Sequence, residues 1–204
     1  MRRTAFFWLL LLLPFSLRAQ DIPHARVQLG LQSGLFRISV DRFDEYYGNR
    51  IAFPVGGHVS YALSSSFHII LKMRYFQKKH RASVDGGSIP LERIWREQWW
   101  ELGIQQYSFS FAGTARTFLG FGLAFFHIRE ENDGRFLQEI GIRKREVFPK
   151  GFYICGGYDH HLTDRITAFF ELELSSAGLG EGTGIEAQSI GGIFISAGLN
   201  ILLF

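Results

Sequence analysis

His58 and Ser60 stand two positions apart, a spacing that puts both side chains on one face of a strand. A histidine beside a serine can take the hydroxyl proton and turn the oxygen into a nucleophile, so this pair is one place where hydrolysis would be carried out. Glu171 and Glu173 share a face in the same way and offer a carboxylate pair for acid–base work. His160 and His161 are adjacent, so on a strand they point to opposite faces and cannot hold one metal ion together. Gly178, Gly180, Gly182 and Gly184 alternate without the Gly-Lys-Ser/Thr sequel and the strand–helix context that a phosphate-binding loop needs. That run reads as a flexible connection. Cys155 is the single cysteine, so it has no internal disulfide partner and is expected to fill space in a strand. No cofactor or metal is expected from these residues.

Chemistry of this kind needs a scaffold, and the start of the chain bears on where that scaffold sits. Arg2 and Arg3 precede an apolar run from Ala5 to Leu13, followed by Pro14 and a small residue at Ala19. This is the pattern of a cleaved export signal over residues 1–19, and the run is too short for a membrane-spanning helix. The mature domain is then 20–204. Losing Arg2, Arg3 and Arg18 changes the formal net charge of +3 to a balance of 19 Lys+Arg against 19 Asp+Glu. That balance gives no ground for nucleic acid as a partner. After the signal no apolar run is long enough for a helical span, so any crossing of a membrane must be made by strands.

Strand periodicity is clear throughout. Thr117, Leu119, Phe121, Leu123 and Phe125 fall on one face, and Gly120, Gly122 and Ala124 on the other, between Phe118 and Phe126. One face is bulky and apolar and the other nearly bare, which suits a narrow barrel with a crowded interior and lipid outside. Seven further strands are predicted near 25–37, 51–63, 67–77, 95–111, 151–160, 166–175 and 189–204. In the fourth of the eight the apolar phase changes between Leu102/Ile104 and Tyr107/Phe109, which predicts a β-bulge near Gln105–Gln106. Connections at 64–66, 112–115 and 162–165 are short, whereas 38–50, 78–94, 129–150 and 176–188 are long and polar. Such segregation is a property of outer-membrane barrels, with short periplasmic turns and long outer loops. Aromatic residues are expected in two girdles. Phe53, Tyr75, Trp95, Trp99, Trp100, Phe125, Phe126, Phe152 and Tyr153 belong to the outer rim, and Tyr61, Phe67, Tyr107, Phe109 and Tyr158 to the inner.

The segment WWELGIQQYSFSFAGTARTFLGFGLAFF, an acidic-apolar strand, a short turn and a glycine-alternating strand, resembles the central hairpin of small eight-stranded Gram-negative outer-membrane proteins. The mature chain is similar in pattern to the OmpX and OmpA barrels and to the PorT-like group. The resemblance implies an all-β, eight-stranded antiparallel up-and-down transmembrane barrel in the outer membrane, with long loops outside and both termini periplasmic. Phe204 is similar to the terminal aromatic through which such proteins meet the outer-membrane insertion machinery. The implied role is structural, surface contact or envelope assembly, without enzymatic activity or a general pore.

Within such a barrel Arg26, His68, Lys72, Arg74, Glu101, Glu171 and Glu173 would face the lumen. Buried charges must pair, so they are expected to form a salt-bridge network, and this reading outweighs catalysis at Glu171 and Glu173. Lys78, Lys79 and Arg81, with Arg143, Lys144 and Arg145, lie near the outer rim, where basic residues can hold lipopolysaccharide phosphates. Two alternatives stand beside this reading. One is a soluble, secreted, lipocalin-like barrel with an apolar ligand, which requires the bulky faces to point inward. The other is a lipid A-modifying hydrolase, since His58-Val59-Ser60 resembles the His-x-Ser of outer-membrane lipid A deacylases. Tyr61 stands there in place of that family's flanking Asn, and the motif falls in an early strand.

Overall fold

Alternating side chains build eight long strands that close on themselves. The computed structural model describes residues 26–84, 89–111, 114–133, 144–178 and 189–203. The strands are β1 (Val27–Ile38), β2 (Ile51–Ala52), β3 (Val55–Ala62), β4 (Phe67–Val84), β5 (Ile89–Phe111), β6 (Ala115–Asp133), β7 (Lys144–Val147), β8 (Lys150–His161), β9 (Ile166–Gly178) and β10 (Ser189–Leu203). Each pairs antiparallel with its neighbours, and β10 returns to β1 from Val27↔Leu203 to Ile38↔Gly192, which leaves no open edge. Two of the eight staves are interrupted by proline, which has no N–H for the ladder. Pro54 separates β2 from β3, and Pro149 separates β7 from β8. The neighbouring carbonyls stay in use, since Ser33 Oγ donates to Pro54 O and Phe126 N to Pro149 O.

The faces sort by polarity in the opposite sense to a soluble barrel. Leu29, Leu31, Leu71, Leu119, Phe121, Ile154, Phe170, Leu172, Ile195 and Leu199 are all exposed. The charged and amide side chains Gln28, Gln32, Lys72, Arg74, Glu101, Glu171 and Glu173 are buried in the interior. A lipocalin-like barrel needs the reverse, because water outside would pay no return on so much exposed apolar surface. The soluble alternative is therefore inconsistent with the fold.

The apolar belt has the height of a bilayer. On β4 the outward residues from Phe67 to Tyr75 are apolar, and beyond them Gln77, Lys79 and Arg81 face out. Nine residues of tilted strand match the roughly 9–11 that cross a hydrocarbon core. The ladder itself continues, with β4 and β5 paired through to Val84↔Ile89. Much of the segments read as long loops at 78–94 and 129–150 is thus strand projecting above the belt. Polar sequence ends the lipid contact without ending the hydrogen-bond ladder. Short turns close the opposite end. Ser64 Oγ accepts from the backbone N–H of Ser66 and Phe67, and Thr163 Oγ1 does the same for Arg165 and Ile166.

Two local expectations are corrected. The register of β5 against β6 is regular through Ser108↔Thr117 and shifts only between Ser108 and Ser110. The bulge falls there rather than at Gln105–Gln106, because Tyr107 changes the apolar pattern by pointing inward, 4.6 Å from the His68 ring and 5.6 Å from that of Phe118. Trp95, Trp99, Phe126 and Tyr153 are likewise interior and not part of an outer girdle. The small face of β6 is what admits them. A Cβ on Gly122 would collide with the Leu102 carbonyl and the Tyr153 ring, and one on Gly120 with Cys155 Sγ.

Candidate functional site: the packed lumen

The interior is a stack of three chemically distinct layers. At the middle, β4 contributes Lys72 and Arg74, β5 Glu101, and β9 Glu171 and Glu173, each at successive inward positions of its strand. Lys72 Nζ donates to both Glu171 carboxylate oxygens at 2.8 Å and to Glu173 Oε2 at 2.9 Å. Arg74 Nη1 donates to Glu101 Oε2 at 2.8 Å and Glu173 Oε1 at 2.7 Å, and Nη2 to Glu171 and Glu173 at 3.0 and 2.8 Å. Trp99 Nε1 supplies Glu101 Oε1 at 3.1 Å. With Gln105 Nε2 near Glu171, every carboxylate oxygen of the three glutamates has a donor.

This geometry answers the chemical candidates. Glu171 and Glu173 are tied to two cations, so neither presents a free oxygen to a substrate or water. Cys155, Glu171 and Glu173 bring their ligand atoms within 4.8 Å of one another, a spacing that would suit a metal ion. The Lys72 ammonium occupies that position, 3.6 Å from Cys155 Sγ. Of the expected lumen residues, Lys72, Arg74, Glu101, Glu171 and Glu173 come together. Arg26 does not: it precedes β1 and is exposed, because the inward phase begins only inside the strand. His68 is buried one layer lower, against Tyr107.

That lower layer is polar. Arg116 lies over the Tyr107 ring at 3.9 Å and donates to Asp159 at 3.4 Å. His58 and Ser60 face the lumen here, His58 against Phe169. Neither His58 Nδ1 nor Ser60 Oγ has a hydrogen-bond partner, so the contact by which a histidine would take the serine proton is missing. His161 Nδ1 meets Thr167 Oγ1 at 3.3 Å and His160 Nδ1 meets Tyr158 at 3.4 Å, so the two histidines serve different neighbours.

The upper layer is aromatic. Phe36, Phe76, Trp99, Phe126 and Phe194 pack with centroids 5.2 to 6.3 Å apart, in the edge-on and offset arrangements that ring quadrupoles favour. A short helix in the first loop, α1 (Phe43–Tyr47), closes the mouth. Phe43 and Tyr47 stack on each other at 4.6 Å and set their rings against Trp95. Tyr47 donates to Glu130 at 2.7 Å, and burial with that carboxylate drives its phenol well above the usual range. Gly48 takes φ 80, a conformation that ends the helix and favours glycine, and its N–H donates to Asp44 O.

Above the mouth the basic residues are mostly engaged. Lys78 holds Asn49 Oδ1 and Ile51 O, pinning the first loop. Arg81 pairs with Glu92, Arg96 with Glu131 at 2.6 Å, and Lys144 with Glu146 at 3.0 Å. Lys79 and Arg81 share an exposed face of β4, and Lys144 is exposed on β7. Arg145 is half-buried, and Arg143 lies outside the described residues, as do residues 1–25, Phe204 and Gly180 to Gly184 of the glycine run.

Sequence reading missed Trp95, Glu97, Trp99 and the Arg116–Asp159 pair as lumen residues. The signal was present on β5, where positions 95, 97, 99, 101, 105 and 107 share the inward phase. Aromatic type drew the tryptophans to a girdle when phase placed them inside.

No family profile matches the chain, and no curated protein matches it. Solved structures do. Neisserial surface protein A superposes with a TM-score of 0.57 at 11% identity, covering 87% of this chain and 97% of that one. The N-terminal β-barrel domain of Pseudomonas aeruginosa OprF gives 0.54 at 14% identity, over 85% and 96%. The outer membrane protein OprG of the same species gives 0.50 at 11%, over 89% and 99%. At such identities the likeness is one of backbone, and it agrees with the closed ring of staves: this chain has the fold of the small eight-stranded outer-membrane β-barrels.

Proposed function

We propose that this chain is an integral outer-membrane barrel whose work is done by its surface, with the projecting hairpins outside, both termini in the periplasm and the export signal at 1–19 removed. One observation carries the reading: a belt of exposed apolar side chains about one hydrocarbon thickness tall surrounds a lumen that the described residues pack with charge pairs and aromatic rings. Such packing among the described residues argues against general diffusion through the lumen and favours a structural, contact or assembly role. Fractionation followed by electrophoresis with and without boiling tests this. The expected product is in the outer membrane and shifts in mobility on heating, and a soluble product without that shift overturns the reading.

Lipopolysaccharide is the partner best matched to the basic hairpins. Lys79, Arg81 and Lys144 face outward just above the belt, at the height of lipid phosphates, and Lys78, Arg143 and Arg145 belong to the same two hairpins. Reversing Lys79, Arg81 and Lys144 to Glu breaks the Arg81–Glu92 and Lys144–Glu146 pairs in any lipid, and is expected to lower the thermal midpoint more in lipopolysaccharide-containing bilayers than in phosphatidylcholine. Equal behaviour in the two lipids overturns this contact.

A further inference from the structure

The mid-lumen network does not balance. It holds two cations, Lys72 and Arg74, and three carboxyl groups, Glu101, Glu171 and Glu173, all with side chains 3% exposed or less. An uncompensated charge at that depth costs several kcal/mol, so the missing positive charge must come from something small enough to fit. Among the described residues one group of three ligand atoms converges, Cys155, Glu171 and Glu173, and the Lys72 ammonium already sits there in place of a metal ion. A proton is the remaining candidate.

Contacts with the cations indicate which carboxyl carries it. Glu171 has Lys72 at 2.8 Å and Arg74 at 3.0 Å, and Glu173 has Arg74 at 2.7 Å and Lys72 at 2.9 Å. Glu101 has Arg74 at 2.8 Å, but Lys72 is 3.9 Å away. Its other oxygen accepts from the neutral indole of Trp99, and the Glu173 carboxyl lies within hydrogen-bond reach of Glu101. The remaining titratable groups around it are Tyr153 and Cys155 from β8, and β6 presents only Gly122 and Ala124 at this level.

Four residues up the same strand the arrangement repeats. Glu97 is fully buried, and its Oε2 accepts from Trp95 Nε1 at 3.0 Å as Glu101 accepts from Trp99. Its Oε1 has no partner, and no cation among the described residues lies within ion-pair distance. The cross-strand neighbours are Phe76 on β4 and Ile128 on β6. The charged or titratable groups above are Glu130 and Tyr47, bonded to each other, with Arg93 over Tyr46 and Arg145 on β7. Below, the guanidinium nitrogens Nη1 and Nη2 of Arg74 are committed to the glutamates of the middle layer.

We propose that Glu97 and Glu101 are proton-binding sites, both held as neutral acids in the folded barrel at neutral pH. The repeated Trp-x-Glu unit on β5 gives each acid an indole donor for one oxygen, and the bound proton removes its charge.

The unfolded chain surrenders these protons above a pH of about 4.3, whereas the folded chain keeps them, so each site weakens folding by up to about tenfold per pH unit above that point. Urea unfolding from phosphatidylcholine vesicles across pH 5 to 8 reads this. Glu97→Gln and Glu101→Gln keep an oxygen for the indole and are each expected to flatten the pH slope by up to that amount. Glu173→Gln leaves two cations facing Glu101 and Glu171, so Glu101 is expected to ionise in the fold and the slope to flatten by its share alone, with the share of Glu97 kept. A variant that keeps the wild-type slope overturns its site. Infrared spectra of the wild-type barrel at pH 7 decide the matter even if a variant fails to insert. A protonated-carboxyl stretch that diminishes in each Gln variant supports the assignment, and no such band in the wild type overturns it.

Discussion

Arg74 is the residue on which most of the lumen turns. Its Nη1 and Nη2 donate to three glutamates from two strands, and its guanidinium lies 4.7 Å from the Phe194 ring. Arg74→Ala would leave the Glu171 and Glu173 carboxylates buried with Lys72 alone, at a cost of about 3–5 kcal/mol. Urea unfolding from vesicles at constant pH is expected to show that loss, whereas Lys79→Ala on the exposed face is expected to change the unfolding free energy by about 0.5 kcal/mol or less. Gly122 is the opposite kind of position, where anything added does harm. Gly122→Val is expected to abolish the heat-dependent mobility shift, because the added atoms would have to displace the Leu102 and Gly103 backbone and the Tyr153 ring. Residue identity made part of this site readable in advance. Lys72, Arg74, Glu171 and Glu173 alternate with large apolar residues, and charges in that phase can only face a lumen. Tryptophan is ambiguous by type, since membrane interfaces and barrel interiors both accept it, so Trp95 and Trp99 needed the phase of Glu97 and Glu101 to be placed.

Among the elements, the β4–β5 hairpin separates two properties that are easily conflated, the length of a strand and the depth of the membrane. Apolar outward residues end at Tyr75, but pairing runs on to Val84↔Ile89. The belt was legible in the sequence because lipid demands an unbroken apolar face. The strand ends were not, because above the lipid either a ladder or water satisfies the same backbone groups. Excising residues 82–91 and joining the cross-strand partners Arg81 and Glu92 through a two-residue Asn-Gly turn is therefore expected to leave insertion and the heat-dependent shift intact. β7 offers a finer test. Lys144 and then His127 hold the Glu146 carboxyl below the usual range, and the His127 ring stacks on Phe148 at 4.5 Å. A lowered carboxyl contributes stability above its unfolded value and loses it as pH falls through the folded one. Protection of the Lys144–Val147 amides, relative to their intrinsic exchange at each pH, is thus expected to fall below a pH of about 4, and Glu146→Gln to show the lower protection at every pH.

At the level of the whole molecule, the barrel has one outward tryptophan among the described residues, Trp100, beside Met73 on the lipid face, while Trp95 and Trp99 are enclosed. Bilayers with brominated acyl chains are expected to quench the emission of the wild type in part, and Trp100→Phe is expected to remove nearly all of that quenching. Strong residual quenching would mean that the inward phase of β5 is wrong, and with it the lumen described above.

The seam between β1 and β10 carries a further implication for connectivity. Val27 and Leu203 are direct cross-strand partners at the end of the barrel that bears the short turns. A brief linker between them would add one more tight turn to a rim already made of such turns. The order of the staves around the ring would then no longer depend on where translation starts. A circular permutant opened within Ser64–Ser66 should reach the same barrel, carrying its new ends on the same rim as the old ones.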